Sequence, residues 1–207
     1  MSIRSLVTGT LVGAVATITA LGTALAAPEI NKPAPEFTGK TASGEAIDLK
    51  SLRGKIVVLE WTNHDCPYVR KHYGANNMQA LQKEAVAQNI VWLQVISSGP
   101  GLEGHVDGPT AIKLNSERSA APTDTILDPE GKIGRLYEAR TTPHMFIIDP
   151  KGVLVYKGGI DSIASSSQSD IPKAVNYVRE SLKAMETGAP IPHAVTRPYG
   201  CSVHYAS

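Results

Sequence analysis

The chemistry of this chain centres on Cys66, the first of only two cysteines among 207 residues. It follows a short apolar run, Ile56-Val57-Val58-Leu59, whose β-branched character reads as a strand buried on both faces. Trp61 to Asp65 then turns the chain, and Cys66-Pro67 opens a helix. Proline suits the first helical position because its missing N–H would have no partner there and its φ is already helical. The sulfur of Cys66 therefore sits at a helix N-terminus, where unpaired N–H groups and the macrodipole favour a thiolate. A thiolate so placed attacks a disulfide or a peroxide.

His64, Asp65 and His144 are candidate neighbours of that sulfur. His64 as an imidazolium would stabilise the thiolate, and Asp65 would oppose it. The rival chemistry is a soft-metal site, in which Cys66 and two of His64, His72 and His144 offer sulfur and nitrogen to copper or zinc. The spacing matches no zinc motif, and no cofactor is expected. Arg70 and Lys71, in the first turns of the helix, read as a solvated face.

Trp61…Cys66-Pro67-Tyr68-Val69-Arg70 resembles the active-site neighbourhood of thioredoxin-like oxidoreductases and their redoxin (AhpC/TSA-like) branch. Val69 stands where the second cysteine of Cys-x-x-Cys would be. Asn63 and Leu59 occupy positions at which the peroxiredoxin signature has Thr or Ser and Pro. Ala34-Pro35-Glu36-Phe37, Ile47-Asp48-Leu49 and Gly158-Gly159-Ile160-Asp161 resemble other redoxin segments. Thr141-Thr142-Pro143-His144 resembles the element in which a cis-proline starts a strand and faces the active cysteine. The resemblance implies an α/β thioredoxin-like fold, a central mixed sheet with helices on both faces. It makes Cys66, Thr142 and Pro143 catalytic elements and places Trp61, Pro67, Tyr68, Arg140 and His144 around the substrate. Arg140 is the residue that would polarise a peroxide.

The elements that position these residues are legible along the chain. Met1–Ala26 carries Arg4, an uncharged Leu/Val/Ala-rich stretch and a closing Ala24-Leu25-Ala26, which reads as a secretory signal cleaved after Ala26. The expected location is therefore outside the cytoplasm, in a bacterial periplasm. Removing Arg4 from 20 basic residues leaves a formally neutral balance against 19 acidic ones, with no basic patch for nucleic acid and no second apolar span for a membrane. Residues 27–188 form one domain's worth of chain. Pro28 to Ala46 reads as an extended arm over the core. Helical spacing after Cys66 breaks at Gly74-Ala75-Asn76-Asn77 and resumes through Met78, Leu81 and Ala85. Ile90–Ile96 and Thr123–Leu127 are strands, separated by a loop at 97–108 and a helix from Pro109 to about Ser119. Val153–Tyr156 returns antiparallel after the Asp149–Gly152 turn. Ser162 to Asp170 reads as a mobile loop, and Ile171 as the start of a helix ending near Gly188.

Residues 189–207 form a Pro-punctuated tail carrying Cys201 within Gly200-Cys201-Ser202-Val203, which resembles a C-terminal element of one redoxin branch. Three fates are open to Cys201: resolving partner of Cys66, half of a fixed bridge that pins the tail, or a thiol remote from Cys66. The expected function is an exported thiol-dependent oxidoreductase, acting by disulfide exchange or as a peroxidase on a redox partner protein or a peroxide. The alternative is a copper- or partner-binding module without turnover. Oligomeric state is not encoded legibly.

Overall fold

Strand β3 (Val57–Trp61) is buried at every residue because it runs through the middle of a seven-stranded sheet. The computed structural model describes residues 27–207; the export signal read from Met1–Ala26 lies outside them. On one side β3 pairs in parallel with β4 (Val91–Ile96), which pairs in parallel with β5 (Asp124–Leu127). On the other it pairs antiparallel with β7 (His144–Ile148), followed by antiparallel β8 (Leu154–Gly158). A hairpin of β1 (Thr38–Thr41) and β2 (Ala46–Asp48) completes the edge beyond β5. The lead-in is thus only partly an arm: its first residues run beside Leu154, while Thr38 to Asp48 join the sheet.

Alternation along β3 sorts its side chains between two cores. Val57, Leu59 and Trp61 face one side with Phe37, Leu49, Ile133, Tyr137 and Phe146. Val58 faces the other with Met145, Ile147 and Trp92. Over this second face lie α1 (Pro67–Gly74), α2 (Asn77–Ala87) and α5 (Tyr177–Thr187), through Val69, Met78, Leu81, Ala85 and Val178. The first face is covered partly by α4 (Lys132–Leu136) through Ile133. Helix α3 (Gly108–Glu117) packs Ala111 against Ile96 and Val106.

The break expected after Gly74 is present, with Asn76 in the left-handed region at φ 56° just before α2. Two expectations further on need correction. The 162–170 loop is tied down: Ile163 accepts a hydrogen bond from the Lys71 ammonium, and Ser165 Oγ donates to Asp170. Helix α5 begins at Tyr177 rather than Ile171. Pro172 sits in a separate 3₁₀ turn at Gln168–Lys173, and Asn176 caps α5 by accepting from the Arg179 N–H at 3.0 Å. Among the described residues, no helix is long and apolar enough to cross a membrane.

Candidate active site

Cys66 is the N-cap residue of α1, with φ −64°, ψ 122° and Pro67 as the first helical residue. Its side chain makes no capping bond, so the sulfur is free to turn toward the sheet. The loop that delivers it is set by Asn63, whose side-chain oxygen accepts from the Asp65 N–H at 2.8 Å while its carbonyl accepts from the Cys66 N–H at 3.2 Å. Cys66 is fully buried, at 0 % exposure, among Val58, Val69, Met145 and Ile160. Its thiol donates to the Thr142 carbonyl at 3.1 Å. The peptide between Thr142 and Pro143 is cis.

What covers Cys66 is the C-terminal tail. Strand β6 (Thr141–Thr142) pairs antiparallel with β9 (Cys201–Ser202), placing Thr142 opposite Cys201. The Cys201 N–H points at Cys66 Sγ, 3.4 Å away. Both cysteines are free thiols. Burial and the neighbouring Cys66 thiol push the Cys201 thiol up to about 12. Gly200 makes the approach possible. It sits at φ 137°, and a Cβ there would lie 2.0 Å from the Thr142 carbonyl oxygen.

A polar socket beneath the tail holds it in place. Lys71, on α1 one turn and a half from Cys66, has a side chain with 0 % exposure. Its ammonium lies 3.4 Å from Asp161 Oδ2 and donates to the Ile163 carbonyl at 3.1 Å. The Tyr199 hydroxyl donates to Asp161 Oδ1. It also receives the His72 Nε2–H at 3.3 Å and lies 3.5 Å from the Lys71 ammonium. His72 Nδ1 accepts from the Asn77 amide at 2.9 Å, which leaves the ring neutral with its proton on Nε2. Burial drives His72 down to about 4 and holds the Tyr199 phenol well above its ordinary range. The Tyr199 ring packs edge-on against Tyr68, centroids 5.8 Å apart. Further along, Tyr205 donates to the Ala139 carbonyl at 2.6 Å and Gly99 donates to the His204 carbonyl at 2.8 Å.

Residues 30–157 match the model of the AhpC/TSA family, more than half of the chain. The chain belongs to the AhpC/TSA family. Among solved structures, an uncharacterised conserved protein from Geobacillus kaustophilus aligns with TM-score 0.75 and 21% identity, over 86% of this chain and 93% of that one. A hypothetical protein from Sinorhizobium meliloti 1021 aligns with TM-score 0.72 and 15% identity, over 88% and 97%. A putative thiol:disulfide interchange protein DsbE from Chlorobium tepidum aligns with TM-score 0.51 and 21% identity, over 63% and 85%. These likenesses establish a thioredoxin-like fold. No curated protein sequence matches the chain.

Within this AhpC/TSA fold the other residues singled out in the sequence fall at varied places. Pro67 is exposed and Tyr68 half-buried at the helix start. Trp61 is fully buried on the opposite face of the sheet from Cys66, packed on Phe146 and Tyr137 and donating to Ser97 Oγ at 3.0 Å. His144, paired with Trp61 across the strands, shares that far face and stacks on Phe146 at 4.5 Å. Burial takes it down to about 3. The Arg140 side chain is 76 % exposed and turned to Glu138, so it contributes no group at the sulfur. His64 and Asp65 pair with each other at 3.2 Å on the outer side of the helix start. The copper or zinc set is therefore not assembled: His144 is across the sheet, His72 is engaged in the socket, and among the described residues no cluster could hold a metal ion.

Two groups went unread in the sequence. In sequence Lys71 reads as part of a solvated face, and only its tertiary partner Asp161 reverses that. Glu60 on β3 is a buried carboxyl that accepts from Tyr73 at 2.7 Å, Trp92 Nε1 at 2.7 Å and Gln82 at 3.0 Å. Burial raises it above the usual carboxylate range, against the nearby Arg118 charge and these donors. An acidic residue amid an apolar strand run was its one visible signal.

Proposed function

We infer that this AhpC/TSA protein is a thiol-disulfide oxidoreductase of an exported compartment, in which Cys66 and Cys201 interconvert between dithiol and disulfide. The carrying observation is the register of the tail strand on β6, which sets the Cys201 backbone 3.4 Å from the Cys66 sulfur. Family membership supports oxidoreductase chemistry in general. The disulfide reading is favoured over a peroxidase because Arg140 points to Glu138 and Cys66 has no open approach for a peroxide. The Cys201 N–H gives the Cys66 sulfur a hydrogen-bond donor at 3.4 Å. Tail docking supplies the second sulfur that Val69 does not.

The test is oxidation of the purified chain in glutathione buffers of graded potential, followed by peptide mapping and insulin-reduction assays. The expected result is a Cys66–Cys201 peptide that forms and reverses within the range set by the buffer, with insulin reduction lost in Cys66→Ser. Oxidation of Cys66 with Cys201 still open to alkylation would sink the reading.

A further inference from the structure

We propose that a cavity between the start of β7 and the tail binds a small carboxylate with an aromatic body, held by the His144 ring N–H and the Arg140 and Lys157 cations. It lies on the far face of the sheet from Cys66, and nothing in it depends on the Cys66–Cys201 pair.

His144 is the residue that asks for a ligand. It is only 6 % exposed, yet its ring makes a single hydrogen bond, Nδ1 accepting from the Arg140 backbone N–H at 3.3 Å. An accepting Nδ1 puts the proton of the neutral ring on Nε2. That Nε2–H has no partner among the described residues, and a buried donor left so forfeits its hydration for nothing. His144 is also part of the wall of a cavity of about 190 Å³, with Arg140, Lys157, Tyr137, Phe146 and Pro198. An acceptor in that space would complete the ring.

The charge around the cavity says which acceptor. The Lys157 ammonium donates to the Pro28 carbonyl and has two further hydrogens to give. The Arg140 guanidinium is 76 % exposed and meets Glu138 only at 3.5 Å, a contact that counts for little in water. Burial first, then these two cations, takes His144 down to about 3, and no carboxylate acts on it in the opposite sense. The ring is therefore a neutral donor throughout the range in which a free carboxylic acid is ionised. Two cations and one N–H match the oxygens of a carboxylate.

The walls say what body that carboxylate carries. Tyr137 and Phe146 meet edge to face with centroids 5.3 Å apart, and His144 stacks on Phe146 at 4.5 Å. Tyr137 brings no competing polar tip, because its hydroxyl donates to the Pro35 carbonyl. The tail adds apolar surface through Val195 and Pro198. The volume is the share of about six waters, which suits one flat ring bearing one carboxylate. Since Pro198 directly precedes Tyr199, a ligand bound here touches both sheet and tail, and by mass action favours the docked tail.

The experiment titrates the purified full chain, labelled with ¹⁵N, with sodium benzoate. Benzyl alcohol serves as the neutral counterpart and inorganic phosphate as an anion without a ring. Long-range ¹H–¹⁵N spectra report the histidine tautomers. The expected result is His144 in the Nε2–H form, its resonances moving saturably with benzoate. Benzoate should bind at least about tenfold more tightly than either control, a difference of about 1.4 kcal/mol. Lys157→Met keeps the stem and removes the charge; it should weaken benzoate about tenfold, and Arg140→Gln about threefold, with far-UV circular dichroism unchanged. Benzyl alcohol binding as tightly as benzoate would reduce the cavity to an apolar crevice and overturn the proposal, and phosphate equalling benzoate would overturn the aromatic body. His144 resonances that stay fixed up to about 50 mM benzoate, or an affinity indifferent to Lys157→Met, would also overturn it. None of these readouts involves either cysteine, so failure here is distinct from failure of the redox reading.

Discussion

Tyr199 shows how one side chain can set the reactivity of another. Its hydroxyl satisfies Asp161 Oδ1 and receives His72, so Phe in its place leaves buried polar groups short of a partner. Tyr199→Phe should cost about 2 kcal/mol of stability, the usual worth of a hydrogen bond to a charged group. Local opening of the tail would become easier by a comparable amount. Alkylation of reduced Cys66 should then speed up roughly tenfold or more. Urea titration and timed iodoacetamide labelling measure the two effects; unchanged labelling would show that Tyr199 does not hold the cover. Lys71 carries the lesson about legibility at this scale. Its neighbours in sequence, Arg70 and His72, give no sign that it is buried, because its ion pair comes from Asp161, 90 residues away. A charge goes into a core only when such a partner is brought to it, and local pattern cannot report that.

At the scale of elements, strands β3, β4, β5 and β7 and the break between α1 and α2 were legible because each is written in local periodicity or in Gly and Asn. The start of α5 is not legible because Ile171 and Val175 extend its apolar spacing, which Pro172 interrupts in a separate 3₁₀ turn. The tail was the least legible piece: two residues of β9 carry no pattern, and their register comes from β6. That register depends on Gly200. Ala there would have to take φ near 137° and place Cβ against the Thr142 carbonyl, a cost on the order of 1–3 kcal/mol borne by the β6–β9 pair. Gly200→Ala should therefore lower the equilibrium constant for the Cys66–Cys201 disulfide by about tenfold in a glutathione buffer, with the far-UV circular dichroism unchanged. An unaltered constant would mean the sulfurs meet without this pairing.

For the whole molecule, the buried histidines tie stability to acidity. His72 is depressed from 6.5 to about 4 in the folded state. Between those values the unfolded chain takes up a proton that the folded chain refuses. The stabilisation is therefore full above pH 6.5, falls as the pH drops through this window, and is gone by about pH 4. His144, taken down to about 3, acts in the same direction, whereas Glu60, raised by burial, favours the folded state on the acid side. His72→Asn separates the terms: going from pH 7 to pH 5, the wild type should lose on the order of 2 kcal/mol more than the variant. Denaturant midpoints at the two pH values give the comparison, and equal losses would remove His72 from the account.

The pairing of Cys201 with Cys66 spans 135 positions of the chain, and this has a consequence in time. The sheet strands β3, β4, β5, β7 and β8, and the helices on them, all lie between or before these two contacts in sequence. They can reach their places while residues 199–205 are still free. A contact that closes so long a loop comes late when nearer contacts are available. During refolding from urea, Cys66 should thus become native-like in its backbone surroundings first and shielded from reagents afterwards. Pulse alkylation should find it reactive after the tryptophan signal of Trp61 and Trp92 has recovered. While that interval lasts, the chain would carry an uncovered helix-start thiol beside a free tail thiol, so it is the moment of greatest exposure to foreign disulfides. If shielding of Cys66 and recovery of the tryptophan signal coincide, the tail joins the folding nucleus instead.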